Sequence, residues 1–418
     1  MSATEHFDLI VLGGGPAGQK AAIQGVKAGR RVALIERERG IGGACVHRGT
    51  IPSKTLRDTA LRLSNARLGG VIEARLREDV EVTHLIGRLD RVVRAHVSYM
   101  GEQVRRNGVV AIHGKAGFLS SHEVSVRGVD GSERRLDAEF IVVATGSRPR
   151  SPIEIPVDHE HILDSDSILS MIYLPRSLAV LGGGVIACEY ASIFAQLGVE
   201  VTLIDRAERP LTFMDGEIVE GFLGSFVAQQ GRYLGASQIE RVAWDGVAAV
   251  ETVLSGAETI RTDKVLVALG RSANVEDLHL ERAGLGVNER GLVDVDEFCR
   301  TAIPHIYAVG DVIGPPALAS TSMEQGRRAV CHALGMDPGG STETTPIGIY
   351  TIPELASVGL DEAEARRRHG SPIVGRARFS EIARGQISGC TDGSLKLVAD
   401  PEGRRLLGAQ VVGEGATE

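Results

Sequence analysis

The sequence predicts an α/β chain made of two units of one design, followed by a smaller α+β segment. Three observations carry this: a glycine-rich strand, turn, helix, strand pattern near the N-terminus, its recurrence at a fixed offset from Gly13 to Gly182, and a change to β-rich patterning after Ile347. The chain has 418 residues, 46 Lys+Arg against 54 Asp+Glu, and 52 glycines. Glycine is thus about 12% of the chain where roughly 7% is usual, an excess that calls for a local cause. A net charge of -8 argues against a nucleic-acid or acidic-membrane binder, which needs clustered cations. No apolar run approaches the ~18 residues of a membrane span, and the first, Phe7 to Leu12, runs into glycines rather than a cleavage site, so neither anchor nor signal peptide is expected. Cys45, Cys188, Cys299, Cys331 and Cys390 are scattered, with no disulfide framework and no C-x-x-C spacing. No metal site is expected, and the expected compartment is the reducing cytoplasm.

The first unit reads FDLIVLGGGPAGQKAAIQGVKAGRRVALIE, residues 7 to 36. A β-type run meets Gly13-x-Gly15-x-x-Gly18, an Ala-rich helix opens at Pro16 and Ala17, and a second β-type run ends in Glu36. This is the order of a Rossmann-like dinucleotide-binding unit. Gly13 permits the tight turn, Gly15 admits a pyrophosphate to the backbone, and Gly18 lets helix pack on strand. The anion rests on the helix N-terminus, and Glu36 can accept from a ribose hydroxyl. LAVLGGGVIACEYASIFAQLGVEVTLID repeats the pattern, placing Gly182, Gly184 and Ala187 under the three glycines, Val185 and Ile186 at the helix start, and Asp205 under Glu36. Two dinucleotide sites in one chain point to electron passage between two bound cofactors.

EFIVVATGSRP (139–149) and DKVLVALGRSAN (263–274) each read as the strand closing one of the sheets, with Gly146 and Gly270 at the turn. Residues 83 to 107 carry Leu85, Leu89, Val92, Val93, His96, Val97, Met100 and Val104 at helical spacing and predict one long amphipathic helix, with His96 packed on its apolar face. From Val109 to Leu136, short β-type runs between Gly and Asp turns predict a small antiparallel insertion. Two prolines in RSPIEIPVD mark the boundary between the repeats. The expected domains are 1–151 and 273–345 for the first dinucleotide, 152–272 for the second, and 346–418 for the α+β domain.

GGACVHRGTIPSK (42–54) resembles the active-site segment of the flavoprotein disulfide reductases, whose pattern is G-G-x-C-x-x-x-x-C-x-P-x-K. TAIPHIYAVGDV (301–312) is similar to that family's second flavin motif, and YTIPELASVG to the start of its interface domain. The resemblance covers essentially the whole chain. It implies FAD held through Gly13, Gly15, Pro16, Ala17, Gly18, Glu36, Arg37, Gly43, Ala44, Cys45, Lys54, Ala116, Thr145, Gly146, Asp311, Leu318 and Ala319, with Asp311 accepting from the ribityl chain. It implies a nicotinamide dinucleotide held through Gly182, Gly184, Val185, Ile186, Glu189, Asp205, Arg206 and Gly270. Lys54 matches the family lysine beside the flavin, and Glu189 the glutamate that pairs with it, so their charged groups are expected to meet.

One departure changes the expected chemistry. Cys45 matches the first family cysteine, but the second falls on Thr50. A thiol–disulfide relay needs two sulfurs, so reduction of a disulfide substrate is not expected. The C-x-x-x-x-T-I-P-S-K form, with DSDSILSM, GVIACEYASIF and ARGQISG around it, resembles members of the family that work without the cysteine pair. This resemblance implies hydride transfer between NADPH and NAD+ through FAD alone. Such transfer needs alignment and stabilisation of developing charge. Cys45 and Cys188 are then expected chiefly as packing residues. Asp205 suits a free ribose 2′-OH, while Arg206 and Arg209 suit a 2′-phosphate. Two rival readings remain open: an NAD(P)H dehydrogenase reducing quinones or other acceptors, and an idle flavin-binding subunit. The family is expected to form homodimers or larger assemblies. This chain carries nothing like the family's H-P-T-x-x-E motif, which suggests an interface domain incomplete at its C-terminus, with poor dimerisation and weak flavin retention.

Overall fold

Runs of β-branched residues and leucine form the sheets, and glycines stand where the central strands end. The computed structural model describes residues 4–68, 82–256, 258–340 and 344–418, with side chains outside 64–86. The chain divides into two units: Met1–Pro52 with Asp90–Arg148 and Arg271–Ser341, and Ser53–Leu89 with Pro149–Gly270 and Thr342–Glu418.

In the first unit Glu5–Leu12 is central. Val32–Glu36 pairs with it in parallel on one side, and Glu133–Val143 on the other. Val110–His113 and Ile306–Ala308 extend the sheet in parallel beyond these two neighbours. Glu133–Val143 also pairs with the antiparallel ribbon of Glu123–Arg127 and Lys115–Phe118. The insertion expected from Val109 onward is therefore corrected at its first run, which joins the parallel sheet. A four-residue edge strand needs only one buried side chain, here Ile112, and alternation alone does not reveal which partner it takes. Side chains alternate between two cores, with Leu9 and Val11 facing one and Ile10 and Leu12 the other. Helix Pro16–Lys27 lies against Ala319–Ala333 so closely that a Cβ on Gly326 would stand 2.2 Å from the Ala17 carbonyl oxygen. The long helix runs Val82–Arg106. Val104 is fully buried, whereas His96 is only half-buried; Leu85 lies outside the described side chains.

In the second unit five parallel strands run in the order Arg232–Leu234, Glu200–Ile204, Ser177–Leu181, Lys264–Val267, Ile162–Asp164. The repeat extends to register: Leu12 pairs with Ile35 in the first sheet, and Leu181 with Ile204 in the second. A three-stranded meander, Ile239–Trp244, Val250–Leu254 and Thr259–Thr262, precedes Lys264–Val267. After Ile347 come five antiparallel strands with helix Glu362–His369 and a second short helix, Ala383–Ser388. This C-terminal sheet shares a core with the layer of the five-stranded parallel sheet through Phe222, Leu355 and Val412.

A buried ion cluster joins the same two sheets. Lys396, 6% exposed, contacts Asp215 at 2.9 Å, Glu217 at 3.2 Å and Glu362 at 2.9 Å. Burial works against its charge, but the three carboxylates prevail and hold its pKa above the usual lysine value. Asp215 also caps helix Gly216–Ala228 by accepting from Glu217 N–H. Among the described residues no helix is long and apolar enough to cross a membrane.

Candidate functional site

Both glycine turns close by the same geometry. Gly13 has φ +109°, and a Cβ there would stand 2.3 Å from Ala144 O; Gly182 has φ +112°, with Ala268 O at 2.6 Å. Each helix then starts from a glycine N-cap with no side-chain cap: Gly15 ahead of Pro16–Lys27, and Gly184 ahead of Val185–Gln196. Uncapped first-turn N–H groups and the helix dipole favour an anion at both places. Gly18 packs on Gly13 O, where a Cβ would approach to 1.9 Å, as its predicted packing role requires.

The middle glycines matter too, and the sequence reading left them out. Gly14 N–H donates to Glu36 Oε2 at 2.7 Å, and a Cβ on Gly14 would stand 2.9 Å from that oxygen. In the second turn a Cβ on Gly183 would meet Asp205 Oδ2 at 2.2 Å. The strand-end acids thus sit against their own glycine turns, beside the helix N-termini. The signal was present as three successive glycines in both repeats. Equivalent positions Gln19 and Cys188 also act alike: Gln19 Nε2 donates to Gly14 O at 2.8 Å, and Cys188 Sγ reaches Gly183 O at 3.7 Å. Burial pushes the Cys188 thiol strongly upward, which agrees with packing.

Around the first turn, Gly43 comes so near that its Cβ would stand 2.7 Å from Gly15 Cα. Thr145 Oγ1, beside Gly13, is buried with no hydrogen-bond partner, as is Thr321 Oγ1 in the helix that begins at Ala319. Asp311 Oδ2 accepts from Ser147 Oγ at 2.6 Å; Arg271 Nε donates to that hydroxyl at 2.7 Å. An uncapped helix start, an orphaned hydroxyl and a half-buried carboxylate suit a polar dinucleotide, so these residues fit FAD. Ala116, Leu318 and Ala319 are half-buried, Gly146 (φ +68°) has open space at its Cβ position, and Ala44 and Arg37 are exposed.

One expectation is modified. Cys45 is half-exposed on the short helix Gly43–His47, because a five-residue helix buries only Val46, so it is not a buried packing residue. Thr50 is exposed at the start of Thr50–Leu68. Arg209 Nη2 donates to Met214 O at 3.2 Å, and its Nη1 is buried without a hydrogen-bond partner. Arg206, by contrast, is exposed next to Asp205, and so is Gly270 at the end of its strand.

Lys54 and Glu189 meet within the second unit. Lys54 Nζ donates to Glu189 Oε1 at 2.8 Å and Oε2 at 2.7 Å, the carboxylate being 7% exposed and the ammonium 25%. Tyr350 N–H donates to Glu189 Oε1 at 2.9 Å, and Lys54 Nζ lies 4.8 Å from the Tyr350 ring centroid. A carboxylate and an aromatic face hold this cation in place. Among the described residues no group of His, Cys, Asp or Glu could hold a metal ion.

Comparison with known proteins agrees with this design. The family model described as pyridine nucleotide-disulphide oxidoreductase matches residues 7–326, and that family's dimerisation domain matches residues 345–418. A soluble pyridine nucleotide transhydrogenase of Mycobacterium bovis is 41% identical over 99% of this chain and 89% of its own length. One from Hahella chejuensis is 40% identical over 100% and 90%. Among solved structures, LpdA of Mycobacterium tuberculosis has a TM-score of 0.91 at 27% identity, covering 99% of this chain and 91% of its own. A copper(II) complex of the HOCl-induced flavoprotein disulfide reductase RclA of Escherichia coli scores 0.89 at 28%, covering 99% and 91%. The chain belongs to the pyridine nucleotide-disulphide oxidoreductase family, enzymes with FAD as cofactor and pyridine nucleotides as substrates.

Proposed function

We propose that this enzyme moves hydride between NADPH and NAD+ by way of FAD, without a redox disulfide. The observation that carries the reading is the pair of like, uncapped glycine turns in one chain, Gly13–Gly15 and Gly182–Gly184, accompanied by the fixed Lys54–Glu189 pair. The transhydrogenase names of the relatives support it, and Thr50 in place of a second sulfur agrees with it.

FAD supplies the chemistry of accepting and returning a hydride when bound. The chain's own residues bind and orient. We assign the flavin to residues 1–151 and 273–345, with the helix N-terminus at Pro16 taking the pyrophosphate, Glu36 the ribose, and Thr145 and Asp311 further polar contacts. The nicotinamide dinucleotide is assigned to residues 152–272, with its pyrophosphate at Val185. Residues 346–418 are assigned to self-association, which the matched dimerisation domain supports. Lys54 acts as a fixed cation for the charge that develops during transfer. Glu189 keeps that cation oriented, because a bidentate partner leaves it little freedom to reorganise. No proton relay through Cys45 is required. At the adenosine end Asp205 receives a free 2′-OH and Arg206 faces a 2′-phosphate. The relatives are named as soluble transhydrogenases, which supports a cytoplasmic location.

An anaerobic assay with NADPH and a spectrally distinct NAD+ analogue, then with a quinone, tests the reading. Rapid analogue reduction is expected. Reduction of quinone alone would replace it with a dehydrogenase, and a flavin that NADPH does not reduce would leave a binding subunit.

A further inference from the structure

The Lys54–Glu189 pair rests on a third segment. Helix Thr50–Leu68 carries Lys54 and Arg57, and helix Val185–Gln196 carries Glu189 and Ser192; residues three apart on a helix share a face. All four side chains grip Tyr350–Glu354. Glu189 Oε1 accepts from Tyr350 N–H, and Ser192 Oγ accepts from Ile352 N–H at 3.0 Å. Arg57 Nε donates to Thr351 O at 3.0 Å, and its Nη2 pairs with Glu354 Oε1 at 2.8 Å, with side chains 12% and 10% exposed. The other Glu354 oxygen accepts from Thr417 N–H at 3.0 Å and Thr417 Oγ1 at 2.7 Å, which fixes the carboxylate from behind.

Arg57 therefore holds the carbonyl of the residue whose neighbour donates to Glu189. We propose that Arg57 is a positioning residue for hydride transfer: it fixes the Tyr350–Thr351 backbone, and this backbone sets Glu189 and, through it, the Lys54 ammonium. The inference rests on the functional reading above and extends it. The C-terminal segment matched as a dimerisation domain then also helps to build the site within its own chain. Arg57 touches no reacting atom in this role. Its fork geometry serves a carbonyl and a carboxylate together, which lysine does not reproduce.

Two measurements on the flavin-loaded 418-residue chain test it. The first is the rapid-mixing rate of flavin reduction by NADPH in wild type, Arg57→Met, Lys54→Met and the double variant. Small misplacements of reacting groups cost one to two orders of magnitude, so Arg57→Met is expected to slow reduction about tenfold with unchanged flavin content. In the Lys54→Met background it should add less than about twofold, because the pair through which it acts is already gone. The second is hydrogen exchange of the Tyr350 amide, expected to accelerate in Arg57→Met. If Arg57→Met does not fold, Glu354→Gln is read in the same way. A wild-type rate in Arg57→Met, or equal slowing in both backgrounds, overturns this inference alone. A wild-type flavin that NADPH does not reduce overturns the functional reading, and the inference with it.

Discussion

Replacing Lys396 by Met removes a cation that touches Asp215, Glu217 and Glu362 together. Arg376 remains on two of them, contacting Glu217 at 2.9 Å and Glu362 at 2.8 Å. Asp215, 5% exposed, is left with backbone hydrogen bonding at its helix cap. Breaking a buried pair from one side costs roughly 3–5 kcal/mol. The remaining arginine and the cap hydrogen bond place this case at the lower end, about 3 kcal/mol. At about 2–4 °C per kcal/mol for a large domain, the melting temperature should fall by about 6–12 °C. The assay is calorimetric melting at one protein and flavin concentration, with Asp215→Asn/Lys396→Met alongside. The double variant should recover most of the loss, since asparagine still caps the helix and no buried charge is stranded. An unchanged melting temperature in the single variant, or a further fall in the double, would refute the reasoning. The cluster also sets an acid window. Hydrogen bonds from Arg366 and then Lys396 lower the Glu362 pKa from 4.5 to about 2. A depressed carboxylate stabilises the fold above its unfolded value and loses that contribution as pH falls through the folded one. The loss should therefore run from about pH 4.5 down to about pH 2 in wild type, and be complete at a higher pH in Lys396→Met, where the folded-state pKa is less depressed.

Other expectations concern the two turns. Arg206→Ala should raise KM for NADPH at least tenfold more than for NADH; equal effects would remove Arg206 from 2′-phosphate recognition. Gly14→Ala should lower FAD affinity, because its Cβ meets Glu36 Oε2, while Gly183→Ala should raise KM for nicotinamide dinucleotides and leave flavin content intact. Flavin titration of the stripped protein beside steady-state kinetics checks both, and the opposite pattern would exchange the two site assignments.

The repeat was legible because left-handed backbone and close carbonyl contact leave little but glycine at Gly13 and Gly182, so the constraint appears directly in composition. The meeting of Lys54 and Glu189 was legible only by resemblance, since each alone reads as an ordinary helix residue. Arg57, Ser147, Arg271 and Lys396 could not be read. Their partners lie far away in sequence, as Thr351, Asp311 and Asp215 do, and nothing local to an arginine or lysine announces which carboxylate or carbonyl it will find. Val110–His113 was misplaced for a related reason, because pairing direction at a sheet edge is a tertiary choice. Cys45 was judged by residue type, and type says nothing of how a five-residue helix turns its faces.

The proposed transfer passes electrons through flavin alone. Anaerobic titration with NADPH, followed by the flavin absorbance, tests it most directly. Complete reduction at one NADPH per bound flavin, with immediate reoxidation by added NAD+, is the expected result. Uptake of a second NADPH equivalent before the flavin is fully reduced would reveal another two-electron acceptor in the chain and contradict the account.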